Sequence, residues 1–112
     1  MKWVITIVLC WTILVDRPLS VHDGDTFTID ARVWHGMTIR ERVRVLDIDT
    51  PELTGADKER GRLAQAFTER WLLQGPFSVY TCRRDAFGRL LGVVSRPDSV
   101  LAADLKEAGH TK

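Results

Sequence analysis

Apolar residues recur along this chain first with the period of a β-strand and then with the period of an α-helix. The order of these two patterns restricts the fold more than any other feature. Apolar and polar residues alternate over residues 26–33 and 37–48, which predicts two strands. Apolar residues then recur at helical spacing over residues 58–74, and Gly75-Pro76 ends that helix. Further strands are predicted at residues 19–22, 77–82 and 90–95, and a last helix at residues 100–108.

The predicted order is three strands, a helix, two strands and a helix. It indicates an α+β fold that is mainly β, a five-stranded OB-type barrel with a helix between strands 3 and 4 and a short C-terminal helix. The chain has 112 residues, which is the length of one domain. The fold alone names no function, because OB barrels support many different activities.

The N-terminal residues are strongly apolar. Lys2 precedes the run WVITIVLCWTILV at residues 3–15, which only Thr6 and Thr12 interrupt. One positive charge before such a run is typical of an export signal, and the run is shorter than the roughly 20 residues of a spanning helix. We therefore expect residues 1–17 to be a signal peptide or membrane anchor and residues 18–112 to be the folded domain. The alternative is that this run, rich in Val and Ile, forms a buried first strand.

Charge does not mark the chain as a nucleic-acid-binding protein, because the formal net charge is only +1. Twelve of the 16 basic residues are nonetheless Arg, whose planar guanidinium matches phosphate oxygens. A GC-rich genome would produce the same bias. The two cysteines, Cys10 and Cys82, have no metal-ligand spacing and cannot make a disulfide framework. We expect structural or incidental roles for both.

Three separated segments combine acidic, basic and turn residues. They are HDGDT at residues 22–26, RVRVLDIDTPE at residues 42–52 and RDAFGR at residues 84–89. Each one alone is compatible with an ordinary turn. Together, and in this order, they resemble the DGDT, R-x4-D-T-P-E and D-x-x-G-R motifs of the thermonuclease (staphylococcal nuclease-like) family. The resemblance covers roughly residues 22–109.

The resemblance implies a calcium-dependent endonuclease that hydrolyses phosphodiester bonds of DNA and RNA and leaves 3′-phosphate ends. Asp25 and Asp49 would ligate Ca²⁺ through their side chains, and Thr50 through its backbone carbonyl. Such oxygen ligands are those that a hard cation prefers. The sequence has no His or Cys at ligand spacing, which argues against zinc.

The catalytic residues implied by the resemblance are Glu52, Arg44 and Arg89. Glu52 would act as general base or orient the attacking water. Arg44 and Arg89 would bind the non-bridging oxygens of the transition state, a task for which Lys is a poor substitute. Gly88 fits a tight turn that projects Arg89.

The spacing of Arg44 and Asp49 imposes a geometric condition. In a straight strand these residues would lie about 16 Å apart and face opposite sides. Both can reach one phosphate only if the strand bends or bulges at residues 46–48. Asp47, inside that segment, either adds negative charge near the metal or is simply exposed.

Other features bear on substrate binding. Arg40 and Arg42 indicate a solvated or substrate-facing strip, and Phe87 stands where the best-known family member has Tyr. The chain ends at Lys112, where that member continues, so we expect complete hydrolytic chemistry with weaker substrate binding. Nucleic acid is the expected partner, the protein is expected to be a monomer, and the N-terminal segment predicts a secreted, periplasmic or membrane-anchored location.

Two alternatives to a working nuclease remain open at this point. One is a non-catalytic OB-fold module that binds nucleic acid or protein, as degenerate members of the family do. The other is an inactive remnant that folds poorly.

Overall fold

The computed structural model describes residues 9–112, so predictions for residues 1–8 lie outside it. The described part consists of one seven-stranded sheet and two helices, with a short 3-10 turn at Gly55–Asp57. The elements in chain order are β1 (Trp11–Val15), β2 (Ser20–Asp23), β3 (Thr26–Trp34), β4 (Met37–Val45), α1 (Lys58–Leu73), β5 (Phe77–Arg84), β6 (Leu90–Arg96), β7 (Ser99–Val100) and α2 (Leu101–Glu107).

The strand order in the sheet is β1-β5-β6-β4-β3-β2, and β7 pairs with β6. Only β4 and β6 run parallel within the described chain, and the sheet does not close. The predicted α+β, mainly β, OB-like fold is thereby confirmed, with α1 between β4 and β5. The five predicted strands correspond to β2 through β6. Strand β1 lies in the apolar N-terminal run, for which a first strand was the alternative interpretation, and β7 is an addition that the sequence pattern did not indicate.

The core forms where alternate residues of the strands meet one side of each helix. Phe27 and Ile29 of β3 are fully buried, and so is Val43 of β4. Their neighbours in sequence point to the opposite face of the sheet, which carries polar residues. Helix α1 contributes Leu72 and helix α2 contributes Leu105 to the same core. The polar outer face of β3 and β4 is therefore free to carry a site.

Strand β1 is fixed to the sheet by pairing and by a covalent bond. Trp11 lies opposite Thr81 of β5, which brings Cys10 beside Cys82, and the two cysteines form a disulfide. Of the two expected roles, structural or incidental, the structure shows the structural one, although the bond itself was not predicted. A register shift between Thr81 and Arg83 leaves Cys82 in a β-bulge at this point.

The apolar N-terminal run thus enters the folded domain over part of its length. Val15 is buried, whereas Trp11 and Leu14 are exposed, as expected of a strand at the edge of a sheet. The boundary at residue 17 and an export role for residues 1–17 stay predictions. No helix in residues 9–112 is long and apolar enough to cross a membrane.

Helix α1 lies unusually close to the loop that follows β4, and Gly61 permits that approach. A Cβ atom at position 61 would overlap the carbonyl oxygen of Glu52 and lie 2.7 Å from its carbonyl carbon. Since the obstacle is backbone, no side-chain rotation can relieve it. Gly61 therefore helps to determine where Glu52 stands.

Gly61→Ala should destabilise the protein by about 1–3 kcal/mol, because the added methyl group must displace the Glu52 backbone. Chemical denaturation measures this change. Leu63→Ala, at an exposed position on the same helix, serves as the control and should change stability by less than about 0.5 kcal/mol. A Gly61→Ala protein that gained stability, as expected for a Gly to Ala change in an unobstructed helix, would contradict the close approach.

Loss of the disulfide should lower the free energy of unfolding by about 2–4 kcal/mol, because the bond joins residues 72 positions apart and restricts the unfolded chain. Thermal melts of the Cys10→Ser/Cys82→Ser variant, with and without a thiol reductant, test this. The reductant should lower the melting temperature of the unmodified protein to that of the variant and leave the variant unchanged. An unmodified protein that ignored the reductant would argue against the bond.

Candidate active site

The buried carboxylate of Asp25 links the β2–β3 turn to the loop after β4. Its Oδ1 accepts a hydrogen bond from Thr26 Oγ1 at 3.0 Å, and its Oδ2 accepts one from the Thr50 amide at 3.0 Å. The Asp25 amide in turn donates to Asp23 Oδ1 at 3.1 Å. Two segments 25 residues apart are therefore held together by one carboxyl group.

Arg44 occupies the centre of the site, because the chain bends around its side chain. Strand β4 ends at Val45, and Asp47 adopts a positive φ of 64°, a conformation that Asp tolerates better than most residues. Nη1 of Arg44 donates to the carbonyl oxygens of Val45 at 2.8 Å and Ile48 at 2.6 Å. The bend required by the sequence spacing is therefore present at residues 46–48, and Asp47 is exposed within it.

The bend brings the two acidic residues of the implied metal site to one nitrogen of Arg44. Nη2 forms an ion pair with Asp49 Oδ1 and lies 3.5 Å from Asp25 Oδ2. Asp49 is largely exposed, whereas Asp25 and Arg44 are mostly buried. Opposite charges thus compensate each other at the end of β4.

Arg89 is held beside this group by the loop between β5 and β6. Its Nε donates to Asp85 Oδ2 at 2.7 Å, and Asp85 Oδ1 accepts the amides of Phe87 and Arg89 at 2.9 Å each. Gly88 has a φ of 82°, so the turn favours glycine there. Hydrogen bonds from Arg89 and Phe87 outweigh the effect of desolvation and lower the pKa of Asp85.

A cavity of about 320 Å³ lies between the two arginines. Its polar lining consists of Arg44, Asp47, Asp49, Asp85 and Arg89. The structure therefore brings four of the six predicted site residues, Asp25, Arg44, Asp49 and Arg89, to one place, and Thr50 is joined to them through Asp25.

Glu52 stands apart from this cavity. Its Oε1 lies 3.1 Å from Nζ of Lys112, and the amide of Lys112 donates to the carbonyl oxygen of Asp49 at 3.0 Å. The bond to Glu52 and the charge of that carboxylate raise the pKa of Lys112. The C-terminal residues thus pack against the loop that carries Asp49 and Glu52.

Residues that support the site escaped prediction from the sequence. Asp85 could have been recognised, because it opens the third motif and an acidic residue four positions before Arg89 can reach it within a turn. Lys112 carried no such signal, since its partner is 60 residues away. Thr68 was also missed: its hydroxyl on α1 donates to the Gly24 carbonyl at 2.6 Å and anchors the β2–β3 turn.

The chemistry of the donors fits a calcium ion. No cluster of three or more His, Cys, Asp or Glu side chains that could hold a metal occurs within residues 9–112. Asp25 and Asp49 nevertheless converge on one nitrogen, and both offer hard anionic oxygens. Thr50 is buried, and its Oγ1 has no hydrogen-bond partner among the described residues. A Ca²⁺ ion held by these residues would complete its shell with carbonyl and water oxygens.

Two neighbouring carboxyl groups at the β2–β3 turn titrate in opposite directions. Burial and the hydrogen bond and charge of Asp25 raise the pKa of Asp23 to about 6. Burial also opposes ionisation of Asp25, but hydrogen bonds from Asp23 and the Thr50 amide, with the charge of Arg44, lower its pKa. Asp25 therefore loses its proton at a lower pH than Asp23 does.

Asp23→Asn should stabilise the calcium-free protein at pH 7.5 by about 1 kcal/mol, after a discount for solvent screening of this half-buried group. The ordinary pKa of 3.8 is raised on folding, so ionised Asp23 costs stability progressively as pH rises from about 4 to 6. The amide keeps the Oδ1 acceptor but cannot ionise. Denaturant titrations in chelator from pH 3.5 to 7.5 should show the advantage growing with pH, and a constant or shrinking gap would contradict this assignment.

Comparison with known proteins bears on the same residues. A family model described as Staphylococcal nuclease homologue matches residues 42–112, which include Arg44, Asp49, Glu52 and Arg89. No curated protein matches the chain. Asp25 lies outside the matched range, and the structure places its carboxylate against the matched part, on the Thr50 amide and Arg44.

Proposed function

The chain belongs to the staphylococcal nuclease homologue family, and from that membership we propose that it is a calcium-dependent endonuclease acting on DNA and RNA. The proposed reaction leaves product strands whose 3′ ends carry a phosphate. One observation carries the proposal: an arginine at the end of β4 and an arginine of the β5–β6 loop line one open cavity beside two convergent carboxylates.

The two arginines suit a phosphodiester that becomes more anionic during hydrolysis. Nε of Arg89 donates a hydrogen bond to Asp85, and Nη1 lies 3.5 Å from Thr26 Oγ1. These contacts hold the guanidinium in place without using all five of its N–H donors. Arg44 is anchored by the carbonyls of Val45 and Ile48. Both positive charges are thus fixed before substrate binds, which is what stabilises developing charge most effectively.

Asp25, Asp49 and the Thr50 carbonyl are the proposed calcium ligands. When bound, calcium would polarise a phosphoryl oxygen and position water. Arg44 now neutralises both carboxylates. A bound cation would compete with Arg44 for the Asp49 carboxylate, and any weakening of that contact would make Nη2 of Arg44 more available to the phosphate.

Glu52 is the proposed general base, or the group that orients the attacking water. Its carboxylate pairs with Lys112 and is mostly exposed, so it can rotate toward the cavity without losing buried contacts. A surface ion pair of this kind contributes little stability, because solvent screens the two charges. The backbone near Gly61 fixes the position from which Glu52 would act.

We also propose that the protein works outside the cytoplasm, either secreted, periplasmic or membrane-anchored. The apolar run at residues 3–15 is typical of export, and the exposed disulfide between Cys10 and Cys82 is typical of an oxidising compartment. N-terminal sequencing of the mature protein distinguishes a cleaved leader from a retained one. A monomeric state remains a prediction.

Digestion of DNA and RNA with calcium and with a chelator tests the enzymatic proposal. Arg89→Ala and Arg44→Ala should each reduce kcat by about 10²–10³-fold, and Glu52→Ala by about 10²–10⁴-fold. Arg62→Ala removes an exposed arginine on α1, outside the cavity, and should leave the rate unchanged. Cleavage that survived the chelator and all three site substitutions would sink the proposal.

A non-catalytic binding module is the second candidate, and the position of Glu52 outside the cavity favours it. Such a module would bind nucleic acid with equal affinity in calcium and in chelator and would release no cleaved product. Analysis of the 3′ ends of the DNA products tests the proposed chemistry further, because 3′-hydroxyl ends would indicate a nuclease of another type.

A further inference from the structure

A second polar groove adjoins the active-site cavity on the outer face of the sheet. It measures about 430 Å³, within the range of ligand pockets, and it shares Arg89 with the first cavity. Ser20, Thr28 and Arg42 contribute to its floor and Gln65 to its wall. Arg89 therefore lies between two spaces, only one of which holds the proposed metal ligands.

The floor of the groove follows from strand register. Ser20, Thr28 and Arg42 are successive partners across β2, β3 and β4. Thr26 and Arg44 form the next such pair toward the active site. Because alternate residues of a strand share one face, these two rows form one continuous polar surface.

The walls of the groove are held in place by hydrogen bonds. Nε2 of Gln65 on α1 donates to the carbonyl of Val21 at 3.1 Å and to that of His22 at 3.3 Å. Nη2 of Arg42 donates to the carbonyl of Phe87 at 3.0 Å, which joins the floor to the loop carrying Arg89. The groove is thus formed before any ligand binds.

The charge of the groove favours an anionic, hydroxyl-rich ligand. Arg42 and Arg89 contribute two positive charges, and no carboxylate belongs to the described lining. Asp30, the nearest acidic residue along β3 on this face, pairs with Arg40 at 3.4 Å beyond the groove. Ser, Thr and Gln side chains supply donors and acceptors for sugar hydroxyls and phosphate oxygens.

We propose that this groove binds the sugar–phosphate of the nucleotide adjoining the scissile phosphate, on the side away from the metal ligands. The inference rests on the proposed function only for the position of the scissile phosphate near Arg89. A polynucleotide crossing Arg89 then has one nucleotide in each space. Two filled spaces favour internal cleavage over removal of a terminal nucleotide, and Arg42 becomes a phosphate-binding residue.

The test compares substitutions that add a negative or a positive charge in the groove with substitutions that add the same charge on β1. Thr28→Glu and Ser20→Lys alter the groove, and Thr12→Glu and Thr12→Lys make matched changes of net charge on an exposed part of β1. Affinity for a labelled single-stranded oligonucleotide is measured by fluorescence anisotropy in chelator, so that no cleavage is needed. Thermal melts verify that every variant is folded.

Thr28→Glu should weaken oligonucleotide binding by about tenfold or more, a change of about 1.4 kcal/mol. Ser20→Lys should strengthen binding by about threefold, and both shifts should shrink as salt is added. The β1 variants should stay within about twofold of the unmodified protein. The proposal would be overturned by equal shifts in affinity for the groove variants and the β1 variants, or by normal binding by a folded Thr28→Glu protein. Failure of the proposed function would instead appear as absence of cleavage in calcium by the unmodified protein.

Discussion

The geometry of the site depends on the hydrogen bonds that the Asp25 carboxylate accepts. It accepts one from the Thr50 amide and one from the Thr26 hydroxyl, and it lies beside Arg44. Without it, the buried Thr50 amide would lose its acceptor, at a cost of about 1–3 kcal/mol. Pairing of β3 with β4, continued by the bond from the Val45 amide to the Asp25 carbonyl, brings the β2–β3 turn and the loop after β4 near each other, and the carboxyl group adds a second connection, to Thr50.

Charge compensation by Arg44 allows the two acidic residues to lie close together in the folded protein. Arg44 faces Asp25 and Asp49 through one nitrogen and binds two backbone carbonyls through the other. A partly buried acidic pair would otherwise oppose folding. In the proposed function the same guanidinium also binds phosphate, so stability and chemistry would depend on one side chain.

Much of this arrangement could be predicted from the sequence, and the reason differs from element to element. Strand β3 and helix α1 have long periodic patterns, which predict their positions to within one residue, whereas β4 ends at Val45 and not at residue 48 as predicted. The bend after Val45 followed from requiring Arg44 and Asp49 to meet. A first strand in the N-terminal run was one of two alternatives, but its pairing with β5 and its disulfide did not follow from the sequence, because pairing between Trp11 and Thr81 depends on tertiary structure that no local pattern encodes. The contact of Lys112 with Glu52 is unpredictable for the same reason.

Arg89 shows why the third motif needs arginine and an aspartate four residues earlier. Asp85 caps two amides of its own turn with Oδ1 and orients Arg89 Nε with Oδ2. A lysine has a single nitrogen, so the bond to Asp85 would consume the group that must face the substrate. In the guanidinium, Nε is anchored to Asp85 and the terminal nitrogens stay available to a ligand. These nitrogens can face both cavities that Arg89 lines. In the proposed complex, a residue shared by two spaces in this way would hold the phosphate at the junction of two nucleotides.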